Sequence, residues 1–280
     1  MSEESPTVAA DHDDPAMKAA MQAARDSFRV FWREVSWEGR RIVPALDLAA
    51  VKAAFSDEQR KAERPDHAMS VEHLWMTEVQ FDGDIVTGCL INQPNWLHDV
   101  KEGDVVHVPL THITDWLYAV RGVAYGGHTI QHMRKDMSVS ERKHHDGMWG
   151  LDFGDPDVVR LMPAPHVENV GFFGRLFGKK PPPPPPVDVE AEHPMSENMG
   201  DSLREALQKN PEWVTDADDD GWTMLHHQAL AGSLASVDVL LDLGADPQRR
   251  TKSGLTASDL AQKLRWTRVV KRLERETSTP

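Results

Sequence analysis

From residue 15 to residue 37, Met17, Ala20, Met21, Ala24, Phe28, Phe31, Trp32 and Val35 return at steps of three and four. That spacing puts them on one face of an α-helix laid against a core. Asp14 ahead of Pro15 supplies a cap and a first-turn residue, so the helix is predicted to begin there. A second helix is predicted over residues 46 to 55. From Val71 the period shortens to two: VEHLWMTEVQF, the turn Asp82-Gly83 and DIVTGCLI predict a β-hairpin. VKEGDVVHVPL predicts a turn at Glu102-Gly103-Asp104 feeding a third strand, and ITDWLYAV a fourth. Ser138 and Ser140 have a helix-start context, and KHHDG (143–147) reads as a polar loop. The N-terminal half is therefore expected to be an α+β domain: a small, strongly bent antiparallel sheet of four strands with one to three helices, or a half-open barrel.

Residues 171 to 200 break this pattern. The six consecutive prolines at 181 to 186 favour an extended polyproline rod, which acts as a semi-rigid spacer. Phe172, Phe173, Leu176 and Phe177, with Arg175, Lys179 and Lys180, precede it and are expected to pack on the preceding domain. The expected organisation is an acidic disordered tail at 1–14, an α+β domain at 15–165, a Phe/Lys-Pro-rich linker at 166–198 and an all-α module at 199–280.

In that last module the chain repeats itself. Gly221-Trp222-Thr223-Met224-Leu225-His226 returns as Gly254-Leu255-Thr256-Ala257-Ser258-Asp259, 33 residues on. Thr223 is placed to cap a helix and bond the imidazole of His226, and Gly232 and Gly244 suit left-handed helix exits. The period and the stretch HHQALAGSLASVDVLLDLGADP resemble the ankyrin repeat, about two and a half copies of it, with Met224 where that repeat usually has proline. The resemblance implies a protein-binding surface on the turn tips and inner helices: Asp219, Asp220, Trp222 and Met224 at the first tip, Lys252, Ser253 and Leu255 at the second. DADDDG (216–221) begins like a calcium loop, but His227 occupies the position where such a loop needs a bidentate glutamate, so it reads as an inter-repeat tip.

Charge narrows the partners. The formal net charge of −14 disfavours nucleic acid, and no apolar run approaches a membrane span. A lone cysteine, Cys89, and an acidic N-terminus without an apolar stretch point to the cytoplasm. Residues 188–220 carry net −9 and residues 249–275 net +7, so the C-terminal module is electrically polar.

In the N-terminal half, EHLWM (72–76), INQP (91–94), GDVV (103–106), DW (115–116) and YGGHT (125–129) occur in this order. Together they resemble the YegJ-like bacterial domain of unknown function over about residues 15–155, which implies a fold and brings no activity. Nine of the fourteen histidines fall between residues 67 and 145, and His128, His132, His144 and His145 could meet Asp115 on a metal. The zinc-protease motif and the nucleophile elbow are both missing, so no catalytic residue, metal or cofactor is assigned. Trp75, Trp96, Asp115, Trp116 and Tyr118 could line a groove for a peptide. The function expected from these readings is a non-enzymatic adaptor, in which ankyrin-type repeats capture a protein for the YegJ-like domain. The alternatives are a metal-assisted hydrolase in the histidine-rich half and an immunity-type protein that neutralises a toxin.

Overall fold

Asp14 caps the first helix as its place ahead of Pro15 predicts: its Oδ1 accepts the Ala16 N–H at 2.9 Å. In the computed structural model, which describes residues 14–57, 71–163 and 188–277, helix α1 spans Pro15–Glu38. All of the expected tail but Asp14, the hexaproline rod and the phenylalanine-rich segment before it lie outside the described residues.

Helix α1 buries Ala24, Phe28 and Phe31 against an open sheet of six strands, where the sequence pattern predicted four. They are β1 (Leu48–Ser56), β2 (Val71–Phe81), β3 (Ile85–Leu90), β4 (Val105–Pro109), β5 (Ile113–Val120) and β6 (Val123–Gly126). Their order is β4-β3-β2-β1-β5-β6, every neighbouring pair antiparallel. The predicted hairpin and the strands after it are present. The helix predicted over 46–55 is not: these residues form β1, at the centre of the sheet. LAAVKAAF has helical propensity, but Val51 pairs with Met76 on one side and Trp116 on the other. Ladders on both edges and the full burial of Val51 and Ala53 outweigh propensities of a few tenths of a kcal/mol per residue.

The opposite face of the sheet packs Ala50, Trp75, Leu117 and Ala119 against Ile130, Leu151 and Phe153. Two helices frame this face, α2 (His128–Lys135) and α3 (Val139–Trp149). KHHDG lies within α3, not in a loop. Ser138 and Glu141 form a reciprocal capping box that starts the helix upstream, and Gly150 ends it with a φ of 65°.

The C-terminal part is helical: α4 (Pro194–Lys209), a 3-10 turn (Pro211–Val214), α5 (Met224–Leu230), α6 (Leu234–Asp242), α7 (Ala257–Lys263) and α8 (Thr267–Thr277). The 33-residue repeat recurs bond by bond. Asp218 N–H donates to Trp222 O at 3.0 Å, and 33 positions on Thr251 N–H donates to Leu255 O at 2.9 Å. Ser233 N–H donates to Gln228 O at 3.0 Å, and Trp266 N–H to Ala261 O at 2.9 Å. Gly232 and Arg265, again one period apart, hold positive φ angles of 71° and 57°.

The two parts touch closely. Residues 188–193, expected to be linker, instead form a strap between α1 and α8. Arg33 Nη1 donates to Val189 O at 3.2 Å and Ala191 O at 2.9 Å. Glu190 accepts from Arg29 at 3.2 Å and from the Thr267 hydroxyl at 2.7 Å, and Asp188 from Arg268 at 2.8 Å. His193 stacks on Trp37 with ring centroids 5.5 Å apart and bonds Glu34 Oε2 at 3.2 Å. At the hairpin tip Asp84 pairs with Lys263 of α7, at 2.5 Å. Some of the opposite charges that make the C-terminal module polar thus meet within it.

Candidate functional site

The first repeat tip is a closed turn. Asp218 Oδ1 accepts the N–H groups of Asp220 and Trp222, both at 2.9 Å, and Gly221 takes a φ of 78°. One oxygen of the central carboxylate in DADDDG is therefore engaged by its own backbone. Asp219 and Asp220 are exposed, as are Lys252 and Ser253 on the next tip, and Asp220 O accepts the Lys252 N–H at 2.8 Å. Leu255 is half-buried. Trp222 is half-buried too, its ring centroid 5.0 Å from that of His227, so its indole lies over the start of α5.

Behind the tip, His226 makes the bond its place predicts. Its Nδ1 accepts the Thr223 N–H at 3.0 Å and lies 2.8 Å from the Thr223 hydroxyl, so its Nε2 carries the hydrogen and donates to Arg249 O at 3.0 Å. Burial holds this imidazole below the usual histidine range, keeping it neutral. One period later Asp259 does the same work: its Oδ2 accepts the Thr256 N–H at 2.8 Å and the Thr256 hydroxyl at 2.7 Å.

The inner helices do not present a free surface along their whole length, because α7 meets the chain's own β2–β3 hairpin. Beside that contact a cleft of about 1250 Å³ opens between the two parts. One wall is the end of α1 with the start of β1 and residues 77–80 of β2; the other is α4 and α5, including Met199, Leu203 and Met224. Trp213, 44% exposed, also lines it. Four buried polar atoms among the lining residues have no hydrogen-bond partner: Trp32 Nε1, Arg40 Nη1, Gln228 Oε1 and Glu38 Oε2, the last 3.5 Å from the Arg41 guanidinium. Arg40 lies over the Trp37 ring, 4.9 Å from its centroid, and burial brings its guanidinium down to about 10, still charged at neutral pH.

The residues expected to line an aromatic groove are not arranged as one. Asp115, Trp116 and Tyr118 are fully buried, and Trp75 is 8% exposed. Trp116 Nε1 donates to Ala24 O at 2.9 Å, Tyr118 to Leu161 O at 3.0 Å, and Trp75 packs edge-on against Trp149. Trp96 is half-buried against the core. Asp115 accepts the N–H groups of Trp116, His128 and Thr129 and the Thr129 hydroxyl at 2.6–2.9 Å, which fixes the first turn of α2.

The histidines proposed to share a metal with it are dispersed. His128 bonds Ser27 at 2.9 Å, His132 bonds Asp14 at 2.8 Å, His145 bonds Asp146 at 3.0 Å, and His144 is exposed. Among the described residues no three His, Cys, Asp or Glu side chains are grouped to hold a metal ion, and no helix is long and apolar enough to cross a membrane.

Residues 14–153 match the model of a family described as "Uncharacterized protein conserved in bacteria (DUF2314)". A protein of Neisseria meningitidis serogroup B (strain ATCC BAA-335 / MC58), provisionally named ankyrin repeat protein NMB1133/NMB1171, is 38% identical over 264 residues, 94% of each chain. The uncharacterized protein YegJ of Escherichia coli (strain K12) is 29% identical over 119 residues, 42% of this chain and 67% of its own.

Proposed function

The chain belongs to the bacterial DUF2314 family, and on that premise we propose that it is a non-enzymatic protein-binding adaptor whose C-terminal ankyrin-type repeats hold a protein partner. The observation that carries this reading is the 33-residue period, repeated in hydrogen bonds as well as in letters. Such units stack into arrays whose tips form an extended recognition surface. The name of the Neisseria relative, similar along almost the whole chain, supports the same role.

With the inner face of α7 engaged by the hairpin, the partner surface is the tip row: Asp219, Asp220 and Trp222, then Lys252, Ser253 and Leu255. Asp219, Asp220 and Lys252 set a pattern of charge, and Trp222 is the anchor, since half-buried tryptophan is a common source of interface energy. Met224 belongs to the cleft as well as to the tip. The adaptor role places no reaction in the N-terminal domain.

The test is affinity capture on the full chain from cells of its source, beside a Trp222→Ala chain and one with Asp219→Lys and Asp220→Lys. A defined protein enriched by the parent and lost from both variants is the expected result. Recovery of nothing above background, or retention by both variants, would sink the reading.

A further inference from the structure

We propose that the cleft between the two parts is a second binding site, which takes an extended basic peptide whose backbone adds to β2 at residues 77–80. It shares Met224 with the first tip, lies otherwise apart from the tip row, and goes beyond the adaptor reading.

The first observation is a fork in the sheet. Strand β1 runs back to Leu48 and β2 forward to Phe81, yet their pairing stops at Val51–Met76. Beyond that point β1 pairs with β5 alone and β2 with β3 alone. A bulge sits on the released stretch, where Glu78 holds a φ of 54° and the β2–β3 register shifts between Thr77 and Gln80. Leu48 and Ala49 on one side and residues 77–80 on the other line the cleft, so its floor offers the unpaired edge of β2. An unpaired strand edge is the recognition element in peptide binding by strand addition.

The second observation is the set of unsatisfied atoms. Trp32 Nε1 and Arg40 Nη1 are donors without an acceptor, and Gln228 Oε1 and Glu38 Oε2 are acceptors without a hydrogen-bond donor. Buried polar groups of this kind cost about 1–3 kcal/mol each when left unpaired. Peptide carbonyls and amide N–H groups are the complement of this set. The volume of about 1250 Å³ exceeds the roughly 300–1,000 Å³ of sites for small molecules and suits a chain of several residues.

Charge selects the kind of peptide. Four carboxylates line the cleft, Glu38, Asp47, Glu78 and Asp216, against the single guanidinium of Arg40. Glu38 and Asp47 already accept backbone N–H groups, from Ala45 and Leu46 and from Gly122. Glu78 and Asp216 are exposed, one on each wall. A strand that sends lysine or arginine to these two, and an apolar side chain between Met199, Leu203 and Trp213, matches the lining.

The experiment is selection of displayed random dodecapeptides on the full chain, followed by fluorescence anisotropy with synthetic copies of the winners. Peptides alternating Lys or Arg with apolar residues are expected. Glu78→Lys with Asp216→Lys, both at exposed positions, should weaken them at least tenfold. Methylating alternate peptide amides should abolish binding, and Trp222→Ala should leave it unchanged. No enrichment, an acidic consensus, indifference to the double variant or indifference to N-methylation would each overturn the proposal. Loss with Trp222→Ala would place the peptide on the tip row, ending this proposal while leaving the adaptor reading standing.

Discussion

The guanidinium of Arg33, in the first helix, lies over the indole of Trp266, in the turn before the last helix, 5.4 Å from its centroid. Both side chains are almost fully buried, Arg33 at 1% and Trp266 at 2% exposure, and Arg29 covers the same ring at 5.2 Å. Trp266 also donates its Nε1 to Leu230 O at 3.1 Å, inside the repeats. One indole thus ties the two parts of the chain together and closes the last repeat.

Trp266→Ala should therefore cost about 3–5 kcal/mol, the range for a buried aromatic truncated to alanine. Denaturant titration would measure it. Limited proteolysis should at the same time show faster cleavage within residues 188–193, because Arg29 and Arg33, which bond that strap, lose the ring they lie over. Unchanged cleavage alongside lost stability would mean that Trp266 serves the repeats only.

Asp115→Ala should cost about 3 kcal/mol or more, since it strips the bonds from Trp116, His128 and Thr129 and leaves buried donors unpaired. Asp115→Asn, which keeps one acceptor, should lose less. Thermal unfolding of both variants checks the order, and a neutral effect of Asp115→Ala would remove its role as anchor of α2.

Gly126 has a φ of 82°, and a Cβ there would overlap the backbone oxygen and ring of Trp116. Backbone oxygen cannot step aside as a flexible side chain can, so Gly126→Ala is expected to lose several kcal/mol or to fail to fold. Gly103 has a φ of 85° with open space around it, so Gly103→Ala carries the backbone strain alone and should lose about 1 kcal/mol. The pair separates overlap from strain in one denaturation experiment.

His226 supplies a pH dependence. Its folded pKa lies below the 6.5 of an ordinary histidine, first because burial disfavours the cation. The unfolded chain then binds the proton more readily, so this contribution to stability is complete above pH 6.5 and declines as pH falls below it. His226→Asp copies the residue at the same place in the next repeat, Asp259, whose pKa is lowered by the Thr256 N–H and which titrates only far below that window. At pH 7.5 the variant should lose about 1 kcal/mol with the bond to Arg249 O. Between pH 7.5 and 5.5 its deficit against the parent should shrink; a constant deficit would show that His226 does not titrate differently on folding.

Much of the outline was legible in the letters. The first helix showed because Phe28, Phe31 and Trp32 recur at helical spacing after an Asp-Pro start. The hairpin showed because alternation brackets Asp82-Gly83, and the repeat because Gly-x-Thr returns after 33 residues with its cap. Strand β1 was hidden: three alanine-rich turns of sequence carry a local preference for helix, and only two neighbouring strands overrule it. KHHDG looked like a loop because its polar letters carry no face, while the helix that contains it starts from a capping box five residues upstream. The tip residues of the candidate surface could be named in advance. The cleft could not, since its walls come from residues 32–49, 77–80 and 199–230.

By itself, then, the sequence determined the local elements that rest on short-range patterning: capped helices, a tight hairpin and a helical repeat with a fixed period. The tertiary structure alone decided which charges and rings find one another across the chain. It set Arg33 over Trp266, spent Asp115 on the start of a helix, dispersed the histidines and opened a forked sheet edge beneath the repeats. Periodicity constrains residues a few positions apart, whereas these partners come from different elements of the N-terminal domain or, like Arg33 and Trp266, meet only when the two folded parts dock.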